Sequence, residues 1–291
     1  MKKILLATTV FAGFAGVASA EVTLSGDARM GVIYSEQFDS MDFTSRARVA
    51  FALSGESDSG LSFGASFRAD NAVGASGGSA GSVYISGAFG KLSMGDVDSA
   101  IKAAVGQVSG VGLTGLGDQN EVAHGGLTVS ATDPSGALYE YTTGGFTLYV
   151  SAMDGYTNLP SPPALFPSQA APSVYGIAAK YAAGNYTVAL GYEDRGGIEE
   201  TSVGGSAVFG ATTVKAVYAD VNGFADYALS VDYTTGATTI TGFVHDGDLV
   251  LNTAYGLGAS YDLGGGAKVV GGVVSDAAGF MRADVGVSMA F

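Results

Sequence analysis

The sequence predicts an all-β fold, a closed antiparallel transmembrane barrel of sixteen strands, and three observations carry that prediction. Strand-length segments recur in which every second residue is apolar, the final one running Met281, Ala283, Val285, Val287, Met289, Phe291 with Arg282, Asp284, Gly286, Ser288 and Ala290 between. Such alternation gives a strand one face for lipid and one for water. Mean hydropathy is positive, yet beyond the first 20 residues no apolar run is long enough to span as a helix. A chain that crosses a bilayer without helices must satisfy its backbone between strands and close the sheet upon itself.

The chain opens with Met1, Lys2 and Lys3, an apolar stretch of 14 residues from Ile4 to Val17, and the small residues Ala18, Ser19 and Ala20. This is the pattern of a cleaved signal peptide over residues 1–20, with Glu21 as the first residue of the mature chain. The stretch is short beside the ~20 residues that bilayer thickness requires of a helix. The mature 271 residues carry 11 basic and 27 acidic side chains, a net charge of −16. That sign excludes a nucleic-acid partner, whose phosphates call for a basic surplus. Cysteine is absent, which rules out disulfides and thiolate metal sites.

Residues 21–291 read as one domain of strand pairs. Short turns are expected at Ser54 to Gly60, Gly90, Gly144 to Gly145, Ala182 to Asn185, Gly210 to Ala211, Thr235 to Ala237 and Gly264 to Gly266. The first strand turns Val22, Leu24, Ala28, Met30 and Val32 to lipid. The second uses Phe43, Val49, Phe51 and Leu53, and the third Leu61, Phe63, Ala65 and Phe67. Two short strands follow, Val83 to Phe89 and Lys91 to Val97. The next pair flanks Gly144 with Tyr139, Tyr141, Phe146, Leu148 and Val150. Tyr175, Ile177, Ala179 and Tyr181, then Tyr186, Val188, Leu190 and Tyr192, form the most regular hairpin. The remaining pairs are Val203 to Phe209 with Thr212 to Tyr218, Tyr227 to Tyr233 with Thr238 to Val244, and Tyr255 to Tyr261 with Val269 to Val273; Phe291 ends the sixteenth strand.

Aromatic residues gather at strand ends (Tyr34, Phe43, Phe89, Tyr181, Tyr192, Phe209, Tyr218, Tyr227, Tyr233, Tyr255, Tyr261, Phe291), as interfacial belts require. Eight longer connections are expected near 35–42, 70–81, 98–137, 154–173, 193–201, 220–226, 245–253 and 275–280. The third, about 40 residues, far exceeds an ordinary loop and is therefore a functional candidate. The fourth contains Pro160, Pro162, Pro163, Pro167 and Pro172 and should be stiff and irregular.

Other signals carry little chemistry. His124 and His245 fall in different expected loops without the clustered ligands zinc needs, and no motif places a serine nucleophile beside either. No enzyme is expected. Gly264 to Gly266 before Ala267 and Lys268 lacks phosphate-loop spacing and reads as a hairpin turn; Gly74 to Gly81 reads as a surface loop.

Several segments together resemble the general porins of photosynthetic alphaproteobacteria, the Rhodobacter type: 21–31 (EVTLSGDARMG), 45–49 (SRARV), 60–68 (GLSFGASFR), 86–96 (SGAFGKLSMGD), 209–215 (FGATTVK), 255–266 (YGLGASYDLGGG) and the closing strand. The terminal Phe291 looks like the assembly signal of bacterial outer-membrane barrels. The resemblance implies a homotrimer in the Gram-negative outer membrane, in contact with lipid and lipopolysaccharide and inserted by the barrel-assembly machinery. It implies that the third loop, 98–137, folds into the lumen as a constriction. The basic wall of that constriction would be Arg29, Arg46, Arg48 and Arg68; the acidic side would be Asp98, Asp118, Glu121 and Asp133, with Asp96 at the loop's base. Opposed charges across a narrow gap orient water and hinder apolar solutes. No cofactor is expected: the third loop has many glycines and few acids, which weakens the case for calcium sites of the family's kind, to which Asp118 and Glu121 could contribute. The expected function is passive passage of ions and small hydrophilic solutes. The alternatives are a substrate-specific channel guided by inward Tyr84 and Tyr149, and a non-conducting structural or adhesive barrel.

Overall fold

A computed structural model describes residues 20–72, 75–78, 81–124, 136–155 and 172–291; all but the last residue of the expected signal peptide and most of the expected fourth loop lie outside them. The strands are β1 (Glu21–Ser35), β2 (Ser40–Glu56), β3 (Ser62–Ala72), β4 (Ala75–Gly78), β5 (Ser82–Gly87), β6 (Gly90–Gly95), β7 (Gly136–Thr143), β8 (Phe146–Met153), β9 (Val174–Ala183), β10 (Tyr186–Arg195), β11 (Ile198–Phe209), β12 (Thr212–Val221), β13 (Phe224–Thr235), β14 (Thr238–Gly247), β15 (Ala254–Gly264), β16 (Ala267–Ser275) and β17 (Met281–Ala290). Both β4 and β5 pair with β3, at Ala69–Ala72 and Ser62–Ser66 respectively, so they are two pieces of one stave and the ring has sixteen. Every pairing is antiparallel to a sequence neighbour except the last, where β17 returns to β1 and leaves no edge.

The closing ladder runs from Asp27 opposite Ala290 to Ser35 opposite Arg282. Phe291 finishes it through its backbone, donating to Gly26 O at 2.9 Å and accepting from Gly26 N at 3.2 Å, while its ring is 80% exposed. The seven short turns form where expected, and both termini of the barrel share their end.

The other end differs from expectation in two places. Residues 193–201 and 220–226 are not long connections: β10 and β11 meet across Gly196 and Gly197, and β12 and β13 across Asn222 and Gly223, all at positive φ. Positive φ at both central positions is the two-residue turn that suits strand twist. Likewise β1 and β2 run on until only residues 36–39 separate them, and β3 continues to Ala72, which places Asp70 on a strand and not in a loop.

The large hydrophobic side chains that are exposed are mostly the apolar members of the alternating sets. Of the twelve aromatics expected at strand ends, all but Tyr34 are exposed. Tyr186 and Tyr192 on β10, and Tyr227 and Tyr233 on β13, sit six residues apart, roughly 20 Å along a strand, comparable to the apolar band of an outer-membrane barrel. Burial occurs instead on the opposite face of the wall, where residues 97–122 pack against it in three small clusters.

Candidate functional site: the lumen wall and the long segment

Four arginines gather on β1, β2 and β3. Arg29 stands directly opposite Arg46 in the β1–β2 ladder, and Arg48 faces Asp27 on one side and Asp70 on the other. Arg46 Nη2 donates to Asp27 Oδ1 at 2.7 Å. Arg68 grips Asp70 with two bonds of 2.5 and 2.9 Å, and Arg48 Nε stands 3.2 Å from the same carboxylate. Four guanidiniums against two carboxylates leave a positive surplus; Asp27 and Asp70 are what make so close a grouping tolerable. The Nε atoms of Arg29, Arg46 and Arg48 are buried and make no hydrogen bond. The alternation alone placed the arginines on this face; the interleaved acids were missed, Asp70 because it had been assigned to a loop.

Helix α1 (Ala100–Val105) opens the long segment. Ser99 caps it by accepting from Lys102 N, and Gly106 at φ 66 ends it. Its apolar side, Ala100, Ile101 and Ala104, packs on Ala178, Ala189 and Tyr149, residues that alternate with the exposed Ile177, Leu190 and Val150. The segment therefore lies against the face opposite the lipid-facing one. Close approach needs glycine there: a Cβ on Gly191 would come within 2.7 Å of Ile101, and one on Gly272 within 2.6 Å of Gly112 N.

Buried wall acids then hold the segment by its backbone. Asp284, only 6% exposed, accepts from Leu113 N, Thr114 N and Thr114 Oγ1 at 2.8, 2.7 and 2.7 Å. Asp226 accepts from Ala123 N at 2.8 Å, and Asp232 from Ser109 Oγ at 2.7 Å. Arg29 Nη1 reaches Leu113 O at 3.4 Å, joining the basic wall to the segment. Buried N–H groups without acceptors are costly, so ionised acceptors on the wall make this backbone path favourable.

Both histidines belong to this attachment. His124 lies between Glu200 Oε1 (2.8 Å) and Gly106 O (3.1 Å), and His245 between Asp226 Oδ1 and Gln119 O (both 2.8 Å). Each ring thus bridges a carboxylate of the wall and a backbone carbonyl of the segment. His245 is on β14, not in a loop as expected. Ser202, beside His124 and Glu200, only superficially resembles a hydrolase nucleophile. Its hydroxyl donates to Glu200 at 2.7 Å, is 3.5 Å from His124, and belongs to a residue with no exposed surface.

The acids expected to face the arginines are placed differently from one another. Asp96 N donates to Gly81 O at the segment's base, and Asp96 is near enough to act electrostatically on Arg68. Asp98 pairs with Lys102 at 3.2 Å, one turn along its own segment. Asp118, at φ 51, and Glu121 are exposed in consecutive turns, Glu121 N donating to Asp118 O. Asp133 lies outside the described residues. No ion pair among the described residues joins these acids to the four arginines, and no group of three or more His, Cys, Asp or Glu is assembled as a metal site there. Asp118 and Glu121 alone do not supply the oxygens calcium requires.

The comparisons with known proteins agree with this architecture. A family profile described as Gram-negative porin matches residues 7–277. The chain is 42% identical over 310 residues to a porin of Rhodobacter capsulatus and 31% identical over 292 residues to one of Fuscovulum blasticum, in each case covering 93% of this chain and all of the relative. Among solved structures it is similar to a porin refined at 1.8 Å (TM-score 0.75, 39% identity) and to a five-substitution variant of Rh. blastica porin (TM-score 0.77, 28% identity); both matches cover 93% of this chain and all of the other. With a closed sixteen-stave barrel, an apolar aromatic-girdled exterior and a charged inner wall, the chain belongs to the Gram-negative porin family.

Proposed function

We propose that this protein is a general diffusion porin of the outer membrane, passing ions and small hydrophilic solutes down their gradients through a water-filled lumen. The observation that carries the reading is the attachment of residues 97–124 to the inner wall by buried acids: the segment is held along the wall from β8 to β17 and meets the arginines of β1–β3 by hydrogen bond only at Arg29 among the described residues. Sixteen strands are the size at which a barrel holds an aqueous path.

In this reading the narrow level of the lumen has Arg29, Arg46, Arg48 and Arg68 on one side and the segment's Asp96, Asp98, Asp118 and Glu121, with Asp133, on the other. The field between them holds oriented water, which a polar solute can replace and an apolar one cannot. No catalytic step is involved. The working assembly is a homotrimer among lipid and lipopolysaccharide, with Phe291 as the signal to the barrel-assembly machinery; its exposed ring at the end of the closing ladder supports that role. The substrate-specific alternative loses one guide residue, since Tyr149 is packed beneath α1 and only 8% exposed.

The test is single-channel conductance of purified protein in a planar bilayer. Large steps, grouped in threes and unaltered by added sugars, are expected. Verified folded protein that never conducts would overturn the reading in favour of a structural barrel, and saturable block by a sugar would favour a specific channel.

A further inference from the structure

Half a turn around the ring from the arginines, on β9–β12, lies a second cationic feature of different construction. A cavity of about 170 Å³ opens beneath the end of α1, lined by Gln107 of the segment and by Lys180, Thr187, Ser206 and Lys215 of four successive strands. All four wall residues belong to the inward set and lie near the turn end of the barrel: Thr187 is opposite Ser206, and Ser206 is opposite Lys215. No Asp or Glu lines the cavity.

Among the described residues neither Lys180 nor Lys215 has a carboxylate within ion-pair distance, whereas Arg46, Arg48, Arg68, Lys91, Lys102, Arg195 and Arg282 all do. The nearest strand acid, Asp232, lies two residues from Ser230, the cross-strand partner of Lys215. Its oxygens are taken by Ser109 and Thr241. Thr187 and Ser206 bond to each other at 2.7 Å, which uses one hydroxyl hydrogen and leaves the other to donate. The Gln107 amide is committed at both ends to Val122, so it shapes the cavity without adding an acceptor for a solute. In a mature chain with a net charge of −16, two unpaired ammoniums and a free hydroxyl donor around one small cavity form a site rich in donors and poor in acceptors. A tetrahedral oxyanion has the complementary property: several acceptor oxygens, negative charge and a size the cavity admits.

We propose that this cavity is a transient binding subsite for compact oxyanions, inorganic phosphate and small phosphomonoesters, met on the turn-end side of the long segment. It gives anions a foothold in an otherwise acidic molecule, and its unshared lysines let them leave again. Only its part in transport rests on the diffusion-channel reading; binding itself does not.

The probe is inorganic phosphate, added to the purified barrel in a phosphorus-free detergent and followed by the ³¹P line width, which needs no current through the protein. The wild type should broaden the line saturably, with sulfate competing. Lys180→Gln/Lys215→Gln should weaken binding by about tenfold or more, as expected for loss of two charge-assisted partners. Folding is checked by heat-modifiable migration on gels, and the two single variants, each losing part of the effect, replace the double variant if it does not fold. Line width that does not respond in the wild type, or responds equally in the variants, overturns the proposal. In bilayers, phosphate should depress chloride current in the wild type and not in the double variant. A barrel that binds phosphate yet never conducts would refute the channel reading and leave the subsite standing.

Discussion

Replacing Asp284 by alanine should release the tip of the long segment while the barrel stays closed. The carboxylate is the acceptor for two backbone N–H groups and one hydroxyl, all within 2.8 Å, and it is almost wholly buried. Each buried N–H stripped of its acceptor costs ~1–3 kcal/mol, whereas the Thr114 hydroxyl can rotate towards another partner, so the two amides set the loss at about 4 kcal/mol. At 1.4 kcal/mol per factor of ten, the population with the tip detached should rise roughly a thousandfold. The ladders on either side of Asp284, to Ile33 and to Gly272, use backbone atoms and do not depend on its side chain. Hydrogen exchange in the folded state reads the difference: the amides of Leu113, Thr114 and Leu116 should accelerate by about that factor while those of β1 and β17 keep their protection. Asp284→Asn, which retains one acceptor oxygen, should fall between. Exchange at Leu113 within about tenfold of wild type, with equally steady single-channel current, would refute the view that wall acids hold the segment in place.

Three further outcomes follow from the same geometry. Arg46→Ala/Arg48→Ala should widen the effective pore and shift selectivity towards cations, since Asp27 loses its arginine partner and Asp70 one of two; unchanged conductance and reversal potential would count against the basic wall. Gly286→Ala should lower the yield of heat-resistant barrel, because its Cβ would fall 2.1 Å from Met30 O at the closing ladder, whereas Gly242→Ala, whose nearest neighbour would be 3.7 Å away, should fold normally. His124→Ala/His245→Ala should loosen the segment, since each ring bridges a wall carboxylate and a carbonyl of the segment. Current noise should then exceed that of the wild type, and equally steady current would count against this attachment.

The exterior of this molecule was more legible in sequence than its interior. Lipid imposes a period of two on β9 and β10, and the aromatic girdles and the glycine turns punctuate it, so the strands could be numbered from residues alone. Polarity failed at the loop end, where Glu193, Asp194, Arg195, Glu199 and Glu200 looked like a loop and are strand residues meeting at Gly196 and Gly197. Above the membrane and inside the lumen a strand has no apolar face to declare itself. Asn222-Gly223, by contrast, is a tight-turn dipeptide that could have been read directly. The anchoring acids were out of reach for a different reason: Asp284 is 171 residues from Leu113, and nothing local in either segment announces the other.

Net charge is a poor guide to what a solute meets in this lumen. Glu200, Asp226, Asp276 and Asp284 are buried, and each is engaged: Glu200 by His124 and Ser202, Asp226 by His245 and Ala123, Asp276 by Arg282, Asp284 by the segment's backbone. Their charge is largely spent on positioning, because a carboxylate ringed by donors presents little unsatisfied potential to the water beyond it. The cations are disposed the other way. Arg29, Arg46 and Arg48 each keep a buried Nε without a hydrogen bond, and among the described residues Lys180 and Lys215 have no carboxylate within ion-pair distance. Asp118 and Glu121, which remain exposed, sit on the segment whose backbone Asp226 and Asp284 hold. An acidic chain can thus present basic ground to a solute, because part of its acid is consumed in holding the backbone and histidines of the long segment.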